Sequence, residues 1–163
     1  MQTLVINKPD DWHVHLRDGQ ILKHTVAATA EHFSRALVMP NLKPALTTLS
    51  LLDAYRERII TEIPKDKSFT PYMTFYLNES VSPDTLQQAA IKPYILGAKL
   101  YPAGATTNSE AGAKSLIAIY PLLEVLQSLD LVLQIHGEVT HGDIFERESL
   151  FINEQLIPLV QNF

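Results

Sequence analysis

Two histidines near the N-terminus are separated by a single residue and could take part in chemistry. His13, His15 and Arg17 alternate with apolar residues in the segment WHVHLR at 12–17. Because side chains alternate along a strand, the sequence predicts that these three share one face. Two imidazoles on one wall can hold a transition metal ion. The chain has no cysteine, so a metal would need histidine, carboxylate or a less usual ligand.

A lysine and a third histidine follow other apolar runs. Lys99 lies in GAKLYP at 97–102, where burial would penalise a charged amine and lower its pKa. Two interpretations remain open for it. A neutral amine can react with carbon dioxide to give a carbamate that bridges two metals, whereas a charged one would reach the rim or pair with a carboxylate. His136, in QIHGE at 134–138, ends a further apolar run and is another ligand candidate.

Three other features are compatible with a site or with plain structure. Asn41 follows the apolar run at 36–38, and its neighbourhood Met-Pro-Asn by itself indicates a turn. The segment 103–112 is small, polar and glycine-bearing, which suits a mobile lid or a solvated loop. The remaining histidines are predicted to be peripheral, with two on a helix surface and one in a loop: His24, His32 and His141.

The residues with chemical potential lie where predicted strands end. Strands separated regularly by helices predict a parallel sheet of the (β/α) type. Their spacing of roughly 25 to 35 residues is typical of a (β/α)8 barrel, which needs eight units. We therefore predict an α/β fold, a partial TIM-type barrel of about five β/α units. It forms a single domain over 1–163 that stops before the barrel closes. A smaller open α/β sheet is the alternative. Strands are predicted over 4–6, 12–17, 36–39, 71–77, 96–101 and 131–136, and helices over 21–33, 49–62, 83–92, 119–129 and 148–161.

Composition narrows the class of protein. Apolar residues make up 46% of the 163-residue chain and charged residues 19%, an ordinary balance for a globular domain. The net charge of −5 and the lack of a basic cluster argue against nucleic acid and anionic membranes as partners. The N-terminus does not resemble a signal peptide, and no apolar run approaches the ~20 residues of a membrane span. We expect a cytoplasmic protein.

Taken together, these segments resemble dihydroorotases, specifically the bacterial single-function type within the amidohydrolase superfamily. The matching text is DWHVHLRDG at 11–19, VMPN at 38–41, GAKLYPAGATTNS at 97–109 and HGEVTH at 136–141. The resemblance implies a (β/α)8 barrel with two zinc ions. It also implies reversible hydrolysis of dihydroorotate to N-carbamoyl-L-aspartate, in de novo pyrimidine biosynthesis, by a hydroxide that the two zinc ions activate.

The resemblance also implies roles for particular residues. His13 and His15 bind one zinc ion. Lys99, in its carboxylated form, bridges both ions, and His136 binds the second ion. The substrate carboxylate is held by Arg17 and Asn41, while Thr106 and Thr107 sit on a lid that closes over the substrate. The implied partner is this small molecule alone, with a homodimer as the expected state of the full-length enzyme.

One departure from the family pattern concerns catalysis. The family has another metal-binding histidine on its sixth strand and a catalytic aspartate on its eighth, and these 163 residues include neither region. No catalytic residue is therefore assigned, and we expect the fragment alone to be inactive. The alternatives are another cyclic amidohydrolase of the dihydropyrimidinase, hydantoinase or allantoinase type, and a non-catalytic metal-binding half-domain. The combination of Arg17 with Asn41 favours a substrate with a free carboxylate.

Overall fold

The computed structural model describes residues 3–163, and its centre is a parallel sheet of five strands. Each strand pairs with the next one along the chain, in the order β1-β2-β3-β4-β5, and the sheet curls into half a barrel. This confirms the predicted α/β class with five β/α units. The strands are β1 (Asp10–Val14), β2 (Arg35–Val38), β3 (Thr70–Leu77), β4 (Ile95–Leu100) and β5 (Val132–Ile135).

Helices follow the strands and cover the convex face of the sheet. They are α1 (Leu22–His32), α2 (Leu49–Thr61), α3 (Pro83–Ala90), α4 (Tyr120–Ser128), α5 (Arg147–Phe151) and α6 (Ile157–Asn162). Short 3-10 turns precede α1 and α4, and a π-type turn joins α5 to α6. Across residues 3–163, no helix is long and apolar enough to cross a membrane.

Local sequence explains where two of these helices begin. The Thr48 side chain accepts a hydrogen bond from the backbone N–H of Leu51 at the start of α2. At α3, the Ser82 side chain accepts from the N–H of Thr85, and Pro83 occupies the first turn, where its lack of an N–H costs nothing.

Alternation along β3 separates the core from the concave face. Met73, Phe75 and Leu77 belong to the buried cluster that packs against the helices. The residues between them, among them Tyr76, lie on the opposite face because successive strand side chains point to opposite sides. Tyr76 pairs in register with Lys99 of β4, so this alternation carries both side chains to the concave face.

Three sequence predictions differ from the structure. The first main strand ends at Val14 rather than continuing to residue 17, because its partner β2 ends at Val38, the residue that pairs with Val14. Arg17 then adopts a left-handed backbone with φ of 61°. Residues 4–6 form no strand, since they have no pairing partner and their apolar side chains are exposed. The helix predicted over 148–161 is interrupted by the π-type turn, because Pro158 has no N–H and its ring crowds the carbonyl four residues earlier.

Candidate functional site

The carboxyl ends of three strands bring the predicted ligands together. His13 lies on β1, Lys99 on β4, and His136 directly follows β5, where its N–H donates to the Leu100 carbonyl at 2.9 Å. Partial desolvation is the main reason that the pKa of His13 is lowered, and the positive charge of Lys99 lowers it further. The three residues are far apart in the sequence but lie at the carboxyl ends of strands of one sheet.

His13 and His15 face each other through the same ring nitrogen. Their Nε2 atoms are 3.3 Å apart, and the ring centroids are 5.2 Å apart. The Nδ1 of His15 lies 2.8 Å from Asn41 Oδ1, an oxygen that only accepts hydrogen bonds. Nδ1 therefore carries the proton, and Nε2 of neutral His15 presents a lone pair. Burial is the main reason that the pKa of His15 is lowered, which favours this neutral form.

Lys99 is a buried amine whose surroundings make the neutral form more accessible than it is for an exposed lysine. Only 2% of the residue is exposed, and burial lowers its pKa to about 8. Its Nζ lies 5.1 Å from the ring centroid of Tyr101. A neutral amine has the free lone pair that reaction with carbon dioxide requires. Of the two interpretations that the sequence left open, burial on the concave face excludes a lysine that reaches the solvated rim.

The donor set fits the metal ions that the sequence resemblance implies. Two imidazole nitrogens bound to one tetrahedral zinc at 2.0–2.1 Å would lie about 3.3 Å apart, which matches the separation of the His13 and His15 Nε2 atoms. No group of three or more His, Cys, Asp or Glu side chains that could hold a metal occurs within residues 3–163. Any further ligand for this pair from that range would come from another residue type, such as Lys99.

Arg17 presents an unsatisfied donor beside the histidines. Its Nη1 is buried and has no hydrogen-bond partner among residues 3–163. The Arg17 carbonyl accepts a hydrogen bond of 2.5 Å from the Tyr55 hydroxyl, which anchors the unusual backbone conformation. A buried guanidinium nitrogen without an acceptor costs free energy, so this position favours a ligand with an acceptor oxygen. The predicted placement of Arg17 on the strand face by alternation was wrong, because the strand ends before it.

Asn41 is placed at the site but is already engaged by protein atoms. Its Nδ2 donates to the Thr107 carbonyl at 2.9 Å, while its own carbonyl accepts from Asn108 Nδ2 at 3.0 Å. Since the Thr107 carbonyl can only accept, the Asn41 amide must turn its oxygen towards His15. A substrate carboxylate that takes the Asn41 amide would displace Thr107.

The segment 103–112 is folded onto the strand ends rather than extended into solvent. The Ser109 hydroxyl accepts from the Thr106 N–H at 2.8 Å and donates to the Thr106 carbonyl at 2.6 Å. Thr106 is half-buried and Thr107 is exposed. The Tyr76 hydroxyl donates to the Asn108 carbonyl at 3.3 Å, so the loop contacts β3 as well as Asn41. These contacts hold the loop in a docked position, which a lid would occupy when closed.

Sequence reasoning missed Tyr101, which lies at the centre of the cluster. Its ring is 5.1 Å from the Tyr76 ring and 6.2 Å from that of His136, and its hydroxyl is buried without a hydrogen-bond partner in the described chain. The alternation that selects Lys99 continues to Tyr101 and was the signal available. The predicted peripheral positions of His24, His32 and His141 are confirmed, because all three are exposed.

A cavity of about 380 Å³ opens beside the cluster, between the loop after β4 and α5. It is lined by the far side of Glu138 together with residues such as Pro102, Lys114, His141 and Phe151. His13, His15, Lys99 and His136 do not line it. The predicted ligands therefore face the concave side of the sheet rather than this cavity.

Comparison with known proteins identifies what the chain resembles. No family model matches it. The dihydroorotase of Idiomarina loihiensis is 51% identical over 165 residues, which cover all of this chain and 48% of that protein. The chain thus spans about half the length of the curated relatives it matches.

Two solved structures share the fold. The dihydroorotase of Campylobacter jejuni superposes with a TM-score of 0.85 at 39% identity, over 96% of this chain and 46% of that one. The dihydroorotase of Saccharomyces cerevisiae, in complex with 5-fluoroorotic acid, gives a TM-score of 0.84 at 36% identity, over 95% of this chain and 44% of that one. Over its whole length, the chain therefore matches in sequence and in fold the N-terminal half of proteins of the dihydroorotase family.

Proposed function

We propose that this chain provides the metal-binding half of a zinc-dependent hydrolase site that interconverts dihydroorotate and N-carbamoyl-L-aspartate. The observation that carries the proposal is the 3.3 Å approach of the His13 and His15 Nε2 atoms beside the buried amine of Lys99. Relatives that are 51% and 52% identical to the chain are dihydroorotases, which supports this substrate class. The same relationship supports a place in pyrimidine biosynthesis.

Four residues would hold the metals. His13 and His15 would bind one zinc ion through Nε2, and His136 would bind the second. The neutral Lys99 amine would add to carbon dioxide and release a proton, and the resulting N6-carboxylysine would bridge the ions. When bound, two zinc ions supply Lewis acidity and a hydroxide nucleophile near neutral pH.

Other residues would orient the substrate and exclude water. The planar guanidinium of Arg17 suits a carboxylate because it can bind both oxygens at once. Asn41 would assist Arg17 after releasing the Thr107 carbonyl, and the segment with Thr106 and Thr107 would cover the bound substrate. The group that carries the proton to the leaving ring nitrogen is not assigned within these residues.

Arg17→Lys tests the choice of substrate. Lysine keeps the charge but loses the planar fork of the guanidinium. We therefore expect transition-state binding to weaken by about 1–3 kcal/mol, which lowers kcat/KM for dihydroorotate by the corresponding factor. Steady-state kinetics of the complete polypeptide that contains these residues, on dihydroorotate and on dihydrouracil, which lacks the carboxylate, would measure this loss. Zinc content should stay at the wild-type value, which serves as the control. An unchanged kcat/KM for dihydroorotate would show that Arg17 does not bind the carboxylate.

The same assay separates the proposal from other cyclic amidohydrolases. A dihydropyrimidinase, hydantoinase or allantoinase acts on rings without the dihydroorotate carboxylate, so its turnover would not depend on the Arg17 fork. Faster turnover of dihydrouracil or hydantoin than of dihydroorotate by the wild-type protein would favour that class. The unsatisfied Arg17 Nη1 supports the dihydroorotase instead.

A non-catalytic metal-binding half-domain is the second candidate. The chain spans about half the length of its relatives, and in residues 3–163 β1 and β5 each pair with one strand only. Residues 1–163 purified alone should therefore bind zinc only weakly, at His13 and His15. They should turn over dihydroorotate at least ~10²-fold more slowly than a complete dihydroorotase, as loss of a proton shuttle commonly causes. Calorimetric zinc titration and a turnover assay with zinc and bicarbonate would measure both. Zinc-dependent turnover at the full rate would contradict this expectation.

The cellular context follows from the same chemistry. We propose a cytoplasmic enzyme with a small-molecule substrate and no nucleic-acid or membrane partner, because the net charge is −5 and basic residues are not clustered. A homodimer is the assembly that we propose for the full-length enzyme. Size-exclusion chromatography with light scattering would measure it.

A further inference from the structure

Glu138, in the loop after β5, contacts the predicted metal ligand His136. Its Oε2 lies 3.2 Å from Nε2 of His136, and each of the two side chains is 27% exposed. A carboxylate can only accept hydrogen bonds, so the Nε2–H of His136 donates to it. With the proton on Nε2, the lone pair of the neutral ring lies on Nδ1.

Arg147, the first residue of α5, holds Glu138 from the other side. Its Nη1 lies 3.5 Å from Glu138 Oε1, and its carbonyl accepts the Val139 N–H at 3.3 Å. The Glu138 N–H in turn donates to the His136 carbonyl at 3.0 Å. The loop after β5 is thus tied to α5 by both backbone and side chain, which restricts where the Glu138 carboxylate can lie.

We propose that Glu138, held by Arg147, is a positioning residue that fixes the tautomer and ring orientation of His136. This inference rests on the proposed function, because it takes His136 to be a zinc ligand. A metal-binding histidine commonly donates its other ring N–H to a carboxylate, which orients the ring and raises its basicity. Glu138 therefore presents Nδ1 of His136 as the metal-binding nitrogen.

A second histidine–glutamate pair in the chain provides a matched control. His141 Nε2 lies 3.1 Å from Glu154 Oε2, but these side chains are 60% and 40% exposed. Neither residue belongs to the cluster at the strand ends. Because exposed ion pairs contribute little, removal of the Glu154 carboxylate should leave the site unchanged.

The experiment compares Glu138→Ala, Glu138→Gln, Arg147→Met and Glu154→Ala in the complete polypeptide that contains these residues. Zinc affinity would be measured by competition with a chromophoric chelator. We expect Glu138→Ala to weaken zinc binding about 10- to 100-fold, with a lower kcat and little change in KM for dihydroorotate. Glu138→Gln should recover part of the loss because its amide oxygen still accepts, Arg147→Met should be intermediate, and Glu154→Ala should match wild type.

Nitrogen NMR of the metal-free protein provides a readout independent of activity. The His136 ring should be protonated at Nε2 in the wild type and should become a mixture of tautomers in Glu138→Ala. Wild-type zinc affinity together with the wild-type tautomer in Glu138→Ala would overturn the proposal. If that variant does not fold, the same two measurements on Glu138→Gln and Arg147→Met decide it. Lack of dihydroorotate turnover in the wild type would refute the proposed function, while the tautomer would still decide the role of Glu138.

Discussion

In the complete polypeptide that contains these residues, Lys99→Ala is expected to lower dihydroorotate turnover by roughly a thousandfold or more, because metal assistance contributes several kcal/mol to such reactions. Alanine has no amine and cannot form the carbamate that would bridge the two metals. Lys99 lies on β4 with almost no exposed surface, so its loss would leave neutral water in place of an anionic oxygen ligand. Zinc content should fall together with turnover.

Three companion measurements separate the effect of losing the Lys99 amine from the effect of losing side-chain volume. Lys99→Met keeps an apolar chain of similar length and should be as inactive as Lys99→Ala while filling the space. Lys23→Ala removes an exposed lysine from α1 and should leave kcat, KM and zinc content unchanged. A small carboxylic acid such as acetate should restore part of the activity of Lys99→Ala. Wild-type zinc content and turnover in Lys99→Met would show that Lys99 does not bridge metals.

Gly97→Ala is expected to reduce the free energy of unfolding by about 3 kcal/mol, near the upper end of the usual range for overpacking. A Cβ at Gly97 would lie 1.9 Å from the Val132 carbonyl oxygen. Gly97 and Val132 are partners in the β4–β5 pairing, so relief requires the two strands to separate. That separation would also move Lys99 away from His136, because these residues lie on or directly after the same two strands.

Urea unfolding of the complete polypeptide would measure the loss. Gly137→Ala is the control for stability, since its Cβ would meet only the Phe151 ring at an ordinary 3.5 Å. It should unfold within about 0.5 kcal/mol of wild type, as most unstrained substitutions do. Equal midpoints for Gly97→Ala and wild type would mean that β4 and β5 are not packed as closely as the structure shows.

Much of the fold follows from local sequence pattern. The alternation of apolar runs and helix-forming segments was sufficient to predict five parallel strands, because a strand and a helix each bury a face with a characteristic period. The period of two also places Lys99 opposite Ala98 and Leu100, which pack in the core. The spacing of His13 and His15 likewise indicated a ligand pair, and their Nε2 atoms do converge.

Tertiary structure decided what local pattern does not encode. The first strand ends at Val14 and Arg17 turns left-handed, with its carbonyl bound by Tyr55 from α2. The Asn41 amide meets Thr107, and Glu138 is held by Arg147. Each of these contacts joins different elements, so it depends on sheet register, curl and helix placement. Residue type and spacing therefore determined which groups have the chemistry, whereas packing between elements determined which of them meet and through which atoms.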